Sequence, residues 1–458
     1  MNNEHLSVAI IGAGPAGFYA AGALVSQKEF PVSVDIFDRL PAPYGLVRYG
    51  VAPDHEKIRN VIRIYQKTAA NEAVRFFGNV EYGTDITHRD LLASYDRVIY
   101  TTGAPSDRNL GIPGEDLEGS RSATEFVAWY NGHPDYVDLN PNLDIDSVIV
   151  VGVGNVAIDV ARILARSIDE LSKTDIADHA LDSLSKSKVK DIYVIGRRGP
   201  AQAKFTNPEI REFGKLEIAD AVVRAAELEL DPASAEVCEH DRTARVNLEI
   251  LNELAEAGIT GKEKRVHFRF LASPVEIYGE GGRVEAVKLE RNRLEATDSG
   301  YLNSVGTGEF ETIEAGMILR SVGYRGVPLP DVPFESRRAT IPNEAGRIND
   351  PDSGSFVPRE YVAGWAKRGP TGVIGTNKAD AVETVKSLFD DVRREGFGLS
   401  DRRGHDDIMG LLRNRDIRFV SYDDWRRIEA LEQERGEAQG RPRLKFVSVD
   451  DMLAACAE

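Results

Sequence analysis

The run Ser7-Val8-Ala9-Ile10-Ile11-Gly12-Ala13-Gly14-Pro15-Ala16-Gly17 decides the fold. Ser7 to Ile11 reads as a buried strand and Phe18 to Gln27 as a small-residue helix, so a G-x-G-x-x-G spacing falls between strand and helix. Gly12 permits a tight turn, Gly14 lets a pyrophosphate approach the backbone, and Gly17 lets helix and sheet pack closely. The phosphate then meets a helix N-terminus, whose free N–H groups and dipole favour an anion. A second strand, Val32 to Phe37, ends at Asp38, 21 residues after Gly17, where such a unit places its ribose-binding carboxylate. An acid there favours a dinucleotide with an unphosphorylated 2'-hydroxyl.

The same grammar occurs again. Ser147 to Val151 leads into Gly152-Val153-Gly154-Asn155-Val156-Ala157, and Ala157, Ala161 and Ala165 line one face of a helix predicted over 157–171. The following strand, Asp191 to Gly196, ends in Arg197 and Arg198 instead of an acid, and guanidinium groups bind a 2'-phosphate that a carboxylate would repel. This second site therefore reads as NADP(H). The chain expected is α/β, with two Rossmann-like dinucleotide-binding domains.

Length and composition agree: 458 residues suit several domains, and 42% hydrophobic content beside 41 glycines suits many strand-to-helix turns. A formal charge of −17 argues against nucleic acid as the main partner. Cys238 and Cys456, with no CxxC, leave no support for a redox dithiol or a cysteine zinc site, and they make the cytoplasm the default compartment. No two histidines stand at metal-ligand spacing, so no metal is expected. The uncharged stretch 6–27 carries too many glycines, and no preceding Lys or Arg, to be an anchor or signal; the mature chain is expected to start near Met1, with no membrane insertion.

Strands Arg97 to Tyr100 and Met317 to Arg320 both run into small-residue crossovers, as expected if one domain is inserted in another. The inserted, NADP-binding domain is placed at 104–322 and the discontinuous first domain at 1–103 and 323–458. The segment 167–190 reads as a solvated excursion. In the resumed part, Glu360 to Trp365, a glycine loop through Gly375 and a helix from about Asn377 repeat the strand-loop-helix order. Backbone N–H groups at Gly372, Val373 and Ile374 would then face an electron-rich ligand atom.

The run from Ala9 to Gly17, the block Tyr44-Gly45-Leu46-Val47-Arg48-Tyr49-Gly50 through His55, the segment Gly152 to Ile163, Ile195 to Pro200 and Gly364 to Asn377 resemble adrenodoxin-reductase-type ferredoxin-NADP reductases over nearly the whole chain. The resemblance implies an enzyme passing electrons from NADPH to FAD and then singly to a ferredoxin-type iron–sulfur protein. It implies FAD contacts at Ala13, Asp38, Leu46, Val80, Trp365 and Gly372 to Ile374. It implies NADP contacts at Arg108, Gly154, Asn155, Val156, Ala157, Arg197, Arg198 and Glu209, with His55 and Glu212 near the nicotinamide. The family more often has Glu at the position of Asp38. No targeting leader and no fused ferredoxin is expected, since neither end carries a cysteine cluster.

Other readings differ by specific residues. A disulfide reductase needs a dithiol that these two cysteines cannot form, and a glutamate-synthase type needs a cysteine-rich domain. A dinucleotide-binding redox sensor, or an NADPH diaphorase with a non-ferredoxin acceptor, remains the alternative. His55 either positions the nicotinamide or caps a helix starting near Glu56. An acidic ferredoxin needs a local basic face, for which Arg59, Arg63 and Lys67 on a helix predicted over 56–69, or Lys204, Arg211 and Lys215, are candidates; Ile58, Val61, Ile62 and Tyr65 would form that helix's buried stripe.

Overall fold

The computed structural model describes residues 5–298, 300–397 and 407–456, so the expected start near Met1 lies outside them. The two glycine-bearing units sit in separate sheets. In the first, Val74–Phe77, Val32–Phe37, Leu6–Ile11, Arg97–Tyr100 and Phe356–Val362 run parallel in that order, with Arg347–Asn349 and Asn343–Glu344 antiparallel beyond them. In the second, Ser120–Ser122, Met317–Arg320, Ser147–Val151, Asp191–Ile195, Lys264–Arg269 and Ala219–Val223 are all parallel. Every residue of Leu6–Ile11 and Val32–Phe37 is buried, which is why these strands read as continuous apolar runs and not as alternation.

The passages between the two sheets pair with each other, Ser106–Asp107 antiparallel to Tyr324–Arg325. A three-stranded antiparallel sheet, Ala272–Glu280, Arg283–Ala296 and Leu302–Glu314, is attached to the second unit. Helix Tyr422–Glu437 buries Trp425 and Ile428 in the first core, and its Glu432 takes both arms of Arg48, at 2.9 and 2.5 Å. Among the described residues no helix is long and apolar enough to cross a membrane.

Four local expectations are corrected. The first helix is Pro15–Ser26, starting three residues earlier than Phe18 because proline is tolerated at its N-terminal position. The second is Asn155–Ala165, stopping at Arg166 before a capping box in which Ser167 and Glu170 satisfy each other's N–H groups and start the short helix Ile168–Leu171. The segment 167–190 is not merely solvated: Leu171, Ile176, Ala180 and Leu184 enter the core, the last three at helical spacing among polar residues. Residues Glu56–Val61 form a 3-10 helix followed by the α-helix Ile62–Ala69. At three residues per turn the expected stripe does not stay on one face, and only Tyr65 of the four is buried while Ile58 is exposed.

The same region removes Arg59 from any free basic face. Its guanidinium pairs with buried Asp175 of the second unit and donates to the Val51 carbonyl at 2.7 Å and to Asn131 Oδ1 at 3.0 Å. Lys445 reaches the same Asp175 at 3.1 Å, and Arg441 donates to the Thr174 carbonyl at 2.9 Å. Arg59 and the C-terminal segment therefore clamp the two units together.

Candidate active site

The first glycine turn is built from main-chain contacts. Gly12 has φ +108°, and a Cβ there would stand 2.7 Å from the Thr101 carbonyl oxygen, so only glycine fits. A Cβ at Gly17 would stand 2.2 Å from the Gly12 carbonyl oxygen, whereas one at Gly14 would meet nothing within 4 Å. The outer two glycines thus close the turn, and the middle one keeps open space at the helix start. Asp38 Oδ2 accepts the Ala13 N–H at 2.8 Å and Oδ1 the Leu40 N–H at 3.0 Å. Burial pushes the Asp38 carboxyl up, against the pull of those two N–H groups.

The other residues expected beside this turn converge on it. The Val80 N–H donates to the Asp38 carbonyl at 2.9 Å and the Tyr44 N–H to the Ala13 carbonyl at 2.8 Å. That brings Gly45 against Gly14 and sets Leu46, partly exposed, at the start of the short helix Leu46–Tyr49. Gly364, at φ +77°, packs against Ala16, and Trp365 follows it with its ring centroid 5.0 Å from that of Tyr324. Trp365 Nε1 is a buried donor with no hydrogen-bond partner among the described residues. Gly372 and Val373 are exposed and Ile374 half-buried in the turn entering helix Thr376–Glu395. Open space at Gly14 and an unpartnered indole N–H fit a bound dinucleotide.

The second turn repeats the geometry. Gly152 has φ +137°, and a Cβ there would lie 2.3 Å from the Ser321 carbonyl oxygen, while one at Gly154 would meet nothing within 4 Å. Asn155 Oδ1 accepts the Thr206 N–H at 2.9 Å, Val156 is half-buried, and Ala157 is buried against the sheet. Arg197 is exposed and Arg198 half-buried; among the described residues neither guanidinium has an ion-pair partner. Arg108 sits on the passage between the sheets, its N–H on the Gly323 carbonyl at 3.1 Å. Glu209, expected to contact the nucleotide, stands between Arg162 Nη1 at 2.9 Å and His55 Nδ1 at 3.3 Å.

That arrangement resolves His55. Its side chain makes no cap to the helix after it; Nε2 stands 3.2 Å from Glu212 Oε1, across the boundary between the two units. Around it, Arg162 contacts Asp54 at 2.6 and 3.0 Å and Asp159 at 2.7 Å, and Arg166 contacts Asp54 at 2.8 Å. Burial alone would lower the His55 imidazolium, but hydrogen bonds with Glu209 and Glu212 outweigh it and push it up to about 10. Burial would likewise raise Asp54, yet the Arg162 guanidinium holds its carboxyl down at about 2. Asp159 is pushed up to about 7 by burial against the opposing charge of Arg162. His55 is therefore held as the cation at neutral pH.

Sequence reasoning missed Asp54, Asp159, Arg162 and Arg166 as members of this cluster. The available signal was Arg162 and Arg166 at i, i+4 beside an alanine face, a spacing that puts both guanidiniums on one side of the helix.

Comparison with known proteins agrees with this geometry. Residues 6–195 match the family model for pyridine nucleotide-disulphide oxidoreductases. The chain is 44% identical to the NADPH-ferredoxin reductase FprA of Mycobacterium tuberculosis, covering 97% of this chain and 98% of that protein. It is 42% identical to the mitochondrial NADPH:adrenodoxin oxidoreductase of Arabidopsis thaliana, covering 100% of this chain and 96% of that one. The solved structure of Mycobacterium tuberculosis FprA in complex with NADPH superposes with a TM-score of 0.93 at 43% identity, over 99% of this chain and 100% of that one. Full-length identity at this level, on a fold with two glycine turns in separate sheets, shows that the chain belongs to the family of NADPH-ferredoxin and NADPH:adrenodoxin reductases.

Proposed function

We propose that this chain is an FAD-dependent reductase that takes electrons from NADPH and delivers them singly to a ferredoxin-type iron–sulfur protein. The observation that carries the reading is the contrast between two equivalent glycine turns, one beside a carboxylate at Asp38 and the other beside the unpaired guanidiniums of Arg197 and Arg198. In this reading residues 1–103 and 323–458 hold FAD, and residues 104–322 hold NADPH. Bound FAD supplies the exchange between a two-electron hydride and a one-electron acceptor.

The chain's own residues bind and orient. The turn 12–17 and Asp38 hold the ADP half of the flavin nucleotide, Leu46, Val80 and Trp365 border it, and the N–H groups at Gly372 and Ile374 face its ring, that of Val373 donating to Thr376 Oγ1 at 3.2 Å. The turn 154–157 takes the pyrophosphate of NADPH, and Arg197 and Arg198 its 2'-phosphate. His55 and Glu212 lie where the two units meet and set the charge at that boundary; Glu209, which contacts His55 and Arg162, borders the NADPH site beside them. Free Cys238 and Cys456, with no disulfide among the described residues, support a cytoplasmic location.

Purified protein should be yellow, hold FAD without a covalent bond, and reduce cytochrome c with NADPH only when ferredoxin is added. Correctly folded, colourless protein that takes up no added FAD would overturn the assignment. Reduction of ferricyanide without any ferredoxin-dependent turnover would point to a diaphorase instead.

A further inference from the structure

The turn carrying Arg197 and Arg198 is supported by an element outside both dinucleotide units, the hairpin of Arg283–Ala296 and Leu302–Glu314. Three contacts join them. The pairing of these strands shifts register between Glu290 and Asn292, and buried Asn292 donates from Nδ2 to the Arg197 carbonyl at 2.8 Å and to Ser273 Oγ at 2.7 Å. The Leu271 N–H donates to the Arg198 carbonyl at 3.1 Å, and the Asn292 N–H returns to the Leu271 carbonyl at 2.7 Å. At the hairpin's end the Tyr301 ring lies under the Arg198 guanidinium, 5.2 Å from its carbon to the ring centroid. The Tyr301 main chain is held in turn, its carbonyl accepting from the Thr297 N–H and hydroxyl at 2.8 and 3.0 Å and its N–H donating to Thr297 Oγ1 at 3.1 Å.

We propose that Tyr301 is a positioning residue for NADPH selectivity: its ring holds the Arg198 guanidinium in place for the 2'-phosphate. The proposal rests on the reading of Arg198 as a 2'-phosphate ligand. A planar guanidinium on an aromatic face keeps its N–H edge free, so the ring restricts the side chain without consuming its donors. Tyr301 is 49% exposed and Arg198 has no carboxylate partner among the described residues, so this ring is what orders the side chain before ligand arrives. Ordering beforehand lowers the conformational cost at binding.

The test is calorimetric titration of the FAD-loaded protein with adenosine 2',5'-bisphosphate and with 5'-AMP, in wild type, Tyr301→Ala, Tyr301→Phe, Arg198→Ala and the Ala/Ala double variant. Tyr301→Ala should weaken the bisphosphate about two- to fivefold, the range of an exposed cation–π contact, and leave 5'-AMP unchanged. Tyr301→Phe should bind as wild type, and the double variant no more weakly than Arg198→Ala. In turnover, Tyr301→Ala should raise the NADPH Michaelis constant without changing kcat. Wild-type bisphosphate affinity in Tyr301→Ala beside a weakened Arg198→Ala, or equal weakening toward both ligands, would overturn the role of Tyr301. An Arg198→Ala variant with unchanged bisphosphate affinity would instead overturn the reading of Arg198 and the inference with it.

Discussion

The turns at 12–17 and 152–157 differ in how their strands end and hardly at all in how their backbones run. In both, the first glycine has positive φ and presses on a carbonyl of the neighbouring crossover, Thr101 or Ser321, and the middle glycine opens onto empty space. At the third position Gly17 tolerates no Cβ, whereas Ala157 is buried with one. The decisive difference is electrostatic. Asp38 turns its carboxylate inward onto the Ala13 and Leu40 N–H groups, while neither Arg197 nor Arg198 has an ion-pair partner among the described residues. In the proposed reading one backbone device serves two nucleotides, and the residues after the second strand choose between them.

The largest effect should come from filling the space at Gly14. Gly14→Val should fold, because a Cβ there meets no protein atom within 4 Å, and should lose FAD altogether; Gly12→Val should instead fail to fold, since it strains φ and strikes the Thr101 carbonyl. Circular dichroism and the flavin spectrum separate the two, and a yellow Gly14→Val protein would break the equivalence of the turns. Next, each charge-assisted contact to a phosphate contributes roughly 1.5 to 3 kcal/mol, so Arg197→Ala/Arg198→Ala should raise the NADPH Michaelis constant about a hundredfold or more. NADH should be little affected, and equal losses for both nucleotides would show that the pair is no phosphate clamp.

At the boundary the effects are smaller. His55→Gln and Glu212→Gln should slow flavin reduction in stopped flow more than they weaken NADP+ binding, and an unchanged limiting rate in both would reduce these residues to structural roles. The same pair carries a pH signature. The His55 pKa of about 10 in the folded protein lies above its ordinary 6.5, so its contribution to stability is complete below 6.5 and is lost as pH rises through 10. Asp54, held at about 2 from 3.8, contributes above 3.8 and loses its contribution as pH falls toward 2. The melting-temperature advantage of wild type over His55→Gln should therefore shrink between pH 6.5 and 10, and a constant difference would contradict the ion pairs described.

The smallest effect concerns ferredoxin docking. Reversing Arg59 would break the clamp on Asp175, so it no longer tests a surface; exposed Arg63 with Lys67, and exposed Arg211 with Lys215, remain. Arg63→Glu/Lys67→Glu or Arg211→Glu/Lys215→Glu should raise the ferredoxin Michaelis constant modestly, and less so as the Debye length falls from about 10 Å at 0.1 M salt to about 3 Å at 1 M. Ferricyanide turnover should hold. If neither double reversal changes ferredoxin reduction at low salt, docking lies elsewhere.

Both glycine turns, Asp38 and the arginine pair were legible because each is a local pattern, set by a strand, a turn and a helix within about forty residues. What escaped is non-local. Arg162 reads as an ordinary polar position on an amphipathic helix until Asp54 is brought to it from 108 residues away. Arg59 reads as a surface cation until Asp175 arrives across the boundary, and Tyr301 reads as a hairpin residue until Arg198 lies over it. The switch at Glu56–Val61 from an α-helix to a 3-10 turn likewise has no signature in the spacing of Ile58, Val61, Ile62 and Tyr65.

The claim of two separate sites meeting at one boundary is tested most directly by anaerobic stopped-flow reduction of wild type and Gly154→Val by NADPH, followed at the flavin band. Wild type should bleach. Gly154→Val, whose Cβ enters the open space of the second turn alone, should hold FAD, stay yellow in NADPH and bleach with dithionite. A Gly154→Val protein that NADPH bleaches as fast as wild type would contradict the account.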